Sequence, residues 1–355
     1  MGDFPENCWY VAAWSNEIDD ISVLDRTILG HRLALFRIST GEIVAFRNRC
    51  PHRSVPLSCG IRENDNLRCG YHGMLFDPQG QCLEIPGQDL IPPTARATTY
   101  PAIDRAGWVW VWPGDPKLMD ETLIPDINPL GDPSFQMRTG YLHYAADARL
   151  IHDNLLDFSH LQFVHRNTFG GGADWSCKPD MSRRDKGFRF ERWFPDIPPP
   201  PIFRSAFPEN ARMDLLNIYE FDAPGILTVR TAMQPAGEAP RKAIAIDDAL
   251  GNFSAQAVTP ETANTAHYFF SIGLPRSEPE ASLEQLLGGT LAAFKEDRTI
   301  IEAQQELLLK EPDEPIARTA LEADAAINQM RGILRQMARS ERNAQSNRPS
   351  GATPN

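Results

Sequence analysis

Up to about residue 112 the apolar residues come in short runs separated by Gly, Pro, Asp and Asn. Leu33-Ala34-Leu35-Phe36, Ile43-Val44-Ala45-Phe46 and Trp108-Val109-Trp110-Val111-Trp112 are all of strand length. Runs of β-branched and aromatic residues bounded by turn formers predict strands, so residues 1–115 read as an all-β domain. Pro113-Gly114-Asp115-Pro116 cannot continue a ladder and is expected to end that domain. Beyond it the period changes. The pattern predicts a helical stretch near 149–165, a Pro-rich loop over 195–201, strands over 214–233 and 253–272, and a last helix. In that helix Leu283, Leu287, Thr290, Phe294, Ile301 and Leu308 fall within about 40° of one line at about 100° per residue. Residues 116–341 are therefore expected to be an α+β domain. From Arg342 to Asn355 the chain is polar with Pro and Gly, which predicts a disordered tail.

Length supports the division, since 355 residues exceed what one small core organises. Apolar content of 42% is ordinary for a globular chain, and no run approaches the roughly 20 apolar residues that span a bilayer, so no membrane role is expected. Met1 to Glu6 has neither the basic start nor the apolar stretch of a secretory signal, which points to the cytoplasm. A net charge of −12, without a Lys/Arg cluster interleaved with aromatics, repels phosphate backbones and argues against nucleic acid. Six cysteines are few for this length, and in a reducing compartment they serve as ligands or buried thiols rather than disulfides.

Two of those cysteines have partners. Cys50-Pro51-His52 and Cys69-Gly70-Tyr71-His72 are Cys/His pairs 16 residues apart in Gly/Pro-rich loops. Thiolates suit iron–sulfur iron, and two imidazoles in place of two thiolates raise a cluster's potential. A tetrahedral Cys₂His₂ zinc site uses the same donors, but C-x-H is tighter than the usual zinc knuckle. Gly60, Gly70 and Gly73 would also leave backbone amides free to approach sulfides. Cys8, Cys59, Cys82 and Cys177 lack such partners and read as plain thiols. A second constellation lies in the stretch from Asp153 to His165. His160 and His165 are five residues apart, with Asp157 three before the first. On a regular helix the two rings would point about 140° apart, so convergence requires a bulge or a helix end. Two histidines and a carboxylate on one face of Fe(II) leave positions open for O₂ and substrate. The carboxylate is expected to be Asp297, at the edge of the apolar stripe, where a charge is costly unless paired or bound to metal. Glu296 falls almost opposite that stripe, and Glu296 and Glu302 read as solvated charges. His152 reads as an ordinary surface histidine or one backing a ligand, and His31, His143 and His267 carry no assignment.

The two Cys/His loops resemble the C-x-H-(x)₁₆-C-x-x-H motif of the Rieske ring-hydroxylating and O-demethylating oxygenases. Val55 and Tyr71 stand where respiratory Rieske proteins carry additional cysteines. Asn154 to His165 resembles that family's N-x-x-D-x-x-H-x-x-x-x-H motif, and Glu296-Asp297 with Ile301-Glu302-Ala303-Gln304 resembles its late acidic motif. The resemblance implies a Rieske domain holding [2Fe-2S] on Cys50, His52, Cys69 and His72. It implies a helix-grip (START-like) catalytic domain with a curved antiparallel sheet, holding mononuclear Fe(II) on His160, His165 and Asp297. By the same resemblance Asn154 and Asp157 belong to the catalytic machinery, with Asp157 linking His160 to His72 of the partner subunit in a homotrimer. The chain looks most similar to the vanillate O-demethylase and dicamba monooxygenase group. That implies O₂ as co-substrate, insertion of one oxygen atom into a methoxy C–H of an aromatic acid, and release of formaldehyde. Electrons would come from NADH through a separate reductase carrying flavin and a ferredoxin-type cluster, since this chain shows no dinucleotide fingerprint. Phe203, Asn217, Ile218, Gln256, Phe269 and Phe270 are the expected pocket residues, with Gln256 standing where dicamba-type enzymes carry a substrate-contacting His. The alternatives are cis-dihydroxylation of an arene, which uses the same ligands, and an electron carrier with a fused binding module.

Overall fold

The computed structural model describes residues 4–127, 130–170, 173–175, 179–238, 240, 251–313, 319 and 321–346. The described residues of Met1–Ile124, Thr259–Thr262 and Arg335–Asn355 form one compact unit, and those of Pro125–Val258 and Ala263–Leu334 a second. Cys177 lies outside the described residues.

The first unit contains three small antiparallel sheets: Tyr10–Trp14 with Trp108–Val111 and Ala102–Arg105; Leu24–Ile28, His31–Arg37, Ile43–Arg47 and Thr99–Tyr100; and Ile61–Glu63, Asn66–Arg68, Leu75–Phe76 and Cys82–Glu84. Trp108, Val109, Trp110 and Val111 are all buried although neighbours in a strand face opposite ways, so both faces of that strand are covered. The boundary falls at Ile124, past the expected residue 115. Indole hydrogen bonds explain the difference: Trp9 Nε1 donates to the Asp120 carbonyl at 2.8 Å and Trp112 Nε1 to that of Asp115 at 3.1 Å, anchoring the segment after the Pro-Gly turn. The excursion at Thr259–Thr262 is held likewise, with Thr259 Oγ1 donating to the Val11 carbonyl at 2.7 Å and the Leu29 amide to that of Pro260 at 2.8 Å.

The second unit is built on a seven-stranded antiparallel sheet: β1 (Phe135–Tyr144), β2 (Asp180–Arg184), β3 (Gly187–Ile197), β4 (Met213–Asp222), β5 (Ile226–Pro235), β6 (Phe253–Pro260) and β7 (Ala266–Pro275), in the order β1-β7-β6-β5-β4-β3-β2. Helices α1 (Ala148–Leu156), α2 (Leu161–Val164) and α3 (Glu280–Lys310) complete its main elements. Gly140 on β1 lets the ring of Phe270 lie flush against the backbone, because a Cβ there would stand 2.1 Å from Phe270 Cζ. The helix carrying the apolar stripe is not the last. A further helix, α4 (Ala325–Ser346), follows, so Arg342 to Ser346 are helical where a disordered tail was expected. Ala326, Ile327, Met330, Leu334 and Ala338 are buried at helical spacing, a stripe that the surrounding Arg and Gln obscure in the sequence. No helix among the described residues is long and apolar enough to cross a membrane.

His152 on α1 is buried, not a surface residue, and burial lowers its pKa to about 4 against the opposing pull of Asp147. Its folded pKa lies below the unfolded value near 6.5, so the unfolded chain binds the extra proton between those values and stability rises with pH. The contribution, at most about 3 kcal/mol, is complete above pH ~6.5 and lost as pH falls toward ~4. Urea unfolding from pH 4.5 to 7 is expected to show a flatter dependence for His152→Gln than for the native chain; parallel curves would contradict this.

Candidate metal centres

Each Cys/His loop of the first unit is closed by backbone hydrogen bonds. The Cys50 amide donates to the Val55 carbonyl at 2.9 Å and the Ser54 amide to that of Cys50 at 3.0 Å. In the second loop the Cys69 amide donates to the Met74 carbonyl at 2.8 Å and the Gly73 amide to that of Cys69 at 3.1 Å. The second turn needs positive φ at Gly73 (+75°). These turns point the cysteines inward and the histidines outward. Cys50 and Cys69 are buried in a core with Phe36, Phe46, Leu57, Leu67, Met74 and Phe76. His52 and His72 are exposed, their ring centroids 4.5 Å apart. Gly70 lets the second loop lie against the 3₁₀ turn Leu57–Cys59: a Cβ there would meet the Cys59 carbonyl at 2.5 Å. Burial pushes the Cys50 thiol up to about 11, so a metal must displace its proton.

Tetrahedral zinc places its donors about 3.5–4 Å apart. Among the described residues the one set of three candidate donors within 4.8 Å of each other is His160, His165 and Asp297. The four donors at 50, 52, 69 and 72 are therefore spread wider than the shell of one ion. Two buried thiols at one end and two exposed imidazoles at the other fit a binuclear cluster whose ends differ in ligand type.

The second donor set rests on a broken helix. The Asp147 side chain caps α1 by accepting from the Arg149 amide at 2.9 Å. Asp157 ends it in an extended conformation and caps the next turn, its Oδ1 accepting from the Ser159 amide at 2.8 Å and hydroxyl at 2.6 Å. One 3₁₀ turn over Phe158–His160 precedes α2, and His165 closes α2. This break resolves the divergence of a regular helix and brings the two rings within 5.1 Å.

Asp297 enters from α3. Its Oδ1 lies 3.0 Å from His165 Nε2 and 3.4 Å from His160 Nε2, and accepts from Asn154 Nδ2 at 3.0 Å. The opposite nitrogens are also occupied: His160 Nδ1 donates to the Asp157 carbonyl and His165 Nδ1 to Glu296 Oε2 at 2.8 Å. Carbonyl and carboxylate oxygens only accept, so Nδ1 carries a hydrogen in each ring and both Nε2 atoms face Asp297. Two neutral rings would set their Nε2 lone pairs against the carboxylate, so the three groups converge without repulsion only when protons on Nε2 or a cation lie between them. Burial alone would raise the Asp297 pKa, but the two imidazoles outweigh it and hold the carboxyl at about 2, so the charge is in place. For His165 burial pulls downward, and Asp297 with Glu296 reverses it to a net rise.

Asp297 stands at the centre of the buried stripe, not at its edge, because α3 buries Leu286, Thr290, Ala293, Asp297 and Ile301 while Leu287, Phe294 and Leu308 are only partly covered. Glu296 and Glu302 are not simply solvated: Glu296 holds His165, and Glu302 accepts from the Ala145 amide at 3.0 Å.

Beside these donors lies a pocket lined by Phe158, Phe169, Trp175, Phe203 and Phe294 together with alternate residues of β4 and β5. Its sheet floor carries a polar strip, Asn217 opposite Thr231 in the β4/β5 register, continued by Asn252, Ser254 and Gln256. Thr231 Oγ1 donates to Asn217 Oδ1 at 2.9 Å, and Gln256 Oε1 accepts from the Tyr268 hydroxyl at 2.9 Å. Of the expected pocket residues, Phe203, Asn217 and Gln256 line it; Ile218, Phe269 and Phe270 do not. Ile218 is one residue out of phase on β4 and packs with Leu216 and Ala232 on the other face. Phe269 faces away likewise, against Tyr141, and Phe270 stands behind Phe294, ring centroids 4.9 Å apart.

The two donor sets fit a Rieske cluster that collects electrons and a separate non-haem iron that uses them, the pairing that defines a Rieske-type oxygenase component. The comparisons agree. Residues 8–100 match the Rieske [2Fe-2S] domain and residues 144–340 the vanillate O-demethylase oxygenase C-terminal domain. The chain is 38% identical over 342 residues to the iron–sulfur subunit of the toluene-4-sulfonate monooxygenase system of Comamonas testosteroni, covering 95% of this chain and 98% of the relative. It is 32% identical over 306 residues to the oxygenase component of dicamba O-demethylase from Stenotrophomonas maltophilia, covering 84% and 88%. The crystal structure of dicamba monooxygenase bound to 3,6-dichlorosalicylic acid aligns with TM-score 0.88 at 30% identity, over 95% of this chain and 98% of that one. The chain belongs to the family of Rieske non-haem iron oxygenase components that carry the vanillate O-demethylase C-terminal domain. It is an oxidoreductase using a [2Fe-2S] cluster and a mononuclear iron. The relatives named here are monooxygenase and demethylase components, neither ring dioxygenases nor electron carriers.

Proposed function

We propose that this chain monooxygenates a methoxy C–H bond of an aromatic acid, releasing formaldehyde, with the cluster on Cys50, His52, Cys69 and His72 and the iron on His160, His165 and Asp297. The observation that carries the reading is the convergence of His160 Nε2, His165 Nε2 and Asp297 Oδ1 within 3.0–3.4 Å of contact beside an aromatic-lined pocket. The iron, when bound, supplies the place where O₂ is activated with electrons delivered through the cluster. The protein's own part is orientation. Asn154 fixes the Asp297 carboxylate by a hydrogen bond to the same oxygen that faces the histidines. Aromatic side chains enclose the ring of the substrate and exclude water. No lysine or arginine lines the pocket among the described residues, so the acid group is read by the neutral donors of Asn217, Asn252, Ser254 and Gln256. We place Asp157 between His160 and His72 of the partner subunit in a cytoplasmic homotrimer served by a separate flavin- and ferredoxin-containing reductase using NADH.

A second reading is favoured by one observation, the 38% identity to a toluene-4-sulfonate monooxygenase subunit. Oxygen inserted into a ring methyl gives a stable benzylic alcohol, whereas insertion into a methoxy group gives a hemiacetal that collapses to a phenol and formaldehyde. The test supplies a surrogate reductase, NADH and a panel of methoxybenzoates, methylbenzoates and toluenesulfonates, and measures formaldehyde and alcohol. Formaldehyde in proportion to substrate consumed is expected; alcohol alone would replace demethylation by methyl hydroxylation.

A further inference from the structure

Consecutive residues of α3 hold the two sides of one imidazole. Asp297 faces His165 Nε2 at 3.0 Å, and Glu296 Oε2 accepts from His165 Nδ1 at 2.8 Å. His160 is treated differently, since its Nδ1 hydrogen goes to a neutral peptide carbonyl, that of Asp157. One donor ring is thus backed by a dipole and the other by a full negative charge.

We propose that Glu296 is the positioning residue for His165: it fixes the tautomer that presents Nε2, and its charge makes this ring the stronger donor of the pair. Two observations carry this. The His165 ring is buried, its side chain 4% exposed, so solvent cannot supply the acceptor that Nδ1 requires. The Glu296 side chain is 41% exposed, so its carboxylate reaches the buried ring from the solvent edge of the site at 2.8 Å. A carboxylate accepting from the far nitrogen raises the basicity of an imidazole and locks its ring plane. The neighbouring Asp297 cannot do both tasks, because its oxygen is turned to the Nε2 side of both rings and is already held by Asn154. Residue order on the helix supplies the clasp, as adjacent side chains about 100° apart reach around opposite edges of a ring lying against that face.

The inference rests on the reading of His160, His165 and Asp297 as iron ligands, and the experiment separates the two. Ferrous iron is titrated into the cluster-loaded chain in competition with a chelator, for the native protein and for Glu296→Gln, Glu296→Ala and Asp297→Ala. The ferrous nitrosyl signal is recorded by electron paramagnetic resonance with the cluster oxidised and therefore silent. Glu296→Ala is expected to weaken iron affinity about 10- to 100-fold, the usual effect of removing a carboxylate behind a ligand histidine. Glu296→Gln, which still accepts a hydrogen bond but lacks the charge, should fall between native and Glu296→Ala with a shifted nitrosyl signal. Cluster absorbance should be unchanged in both. If Asp297→Ala abolishes iron binding while both Glu296 variants stay within twofold of native with the native signal, Glu296 has no such role. If Asp297→Ala binds iron as the native chain does, the ligand assignment itself fails. Should Glu296→Ala fold poorly, the near-isosteric Gln variant decides.

Discussion

Asp297→Asn is expected to lower iron from about three to about two atoms per chain, leave acid-labile sulfide at about two, and reduce substrate oxidation to background. The substitution keeps side-chain volume in a site where the native residue is 5% exposed, so packing along α3 is not the variable. It removes the charge that opposes both Nε2 atoms, the group whose carboxyl is held at about 2 although burial works the other way. It also replaces an acceptor of the Asn154 amide by a side chain whose own amide can turn toward it. Asp297→Ala should act alike, since alanine favours the helix and any loss cannot be assigned to α3 unwinding. Metal analysis together with the cluster's visible absorption checks this. Three irons retained in both variants would mean that another carboxylate completes the set.

Three strands of the first unit, His31–Arg37, Ile43–Arg47 and Trp108–Val111, could be read from the sequence because each holds a compact apolar run between turn formers, whereas short polar strands such as Ile61–Glu63 and Asn66–Arg68 carry no such run. The convergence of His160 with His165 was legible for a different reason: five-residue spacing is incompatible with one helix face, so a bulge or helix end was required, and the junction of the 3₁₀ turn with α2 after His160 and the end of α2 at His165 provide it. What escaped depended on contacts distant in sequence or on phase. Glu296 looks solvated on a helical wheel and becomes a partner only once a histidine 131 residues earlier is brought against it. Ile218 and Asn217 differ by a single residue, and a strand sends neighbours to opposite faces, so a composition-based choice of pocket residues takes one with the other. The stripe of α4 is thin among Arg and Gln, and the return of Thr259–Thr262 to the first unit is made by one threonine hydroxyl and by backbone hydrogen bonds, which leave no apolar pattern.

Cys69→Ser is expected to produce the complementary loss: iron falling from about three to about one atom per chain, sulfide to near zero, and the brown colour of the purified protein with it. The mononuclear site lies in the other unit and should retain its iron, so the two variants divide the metal between the two donor sets. The effect should extend beyond colour. Cys69 is 2% exposed in the core formed with Phe36, Leu67 and Met74, and its loop is held by bonds from its own amide and to its own carbonyl. A serine hydroxyl there is a buried polar group costing about 1–3 kcal/mol if left without a partner, and the cluster no longer crosslinks the two loops. The first unit should therefore unfold at a lower temperature while the second keeps its transition. Substrate oxidation should cease with NADH and reductase, because no route remains for electrons to enter. A native chain that is colourless and carries zinc on Cys50, His52, Cys69 and His72 would overturn the assignment, and a Cys69→Ser variant that stays brown would move the cluster to other ligands.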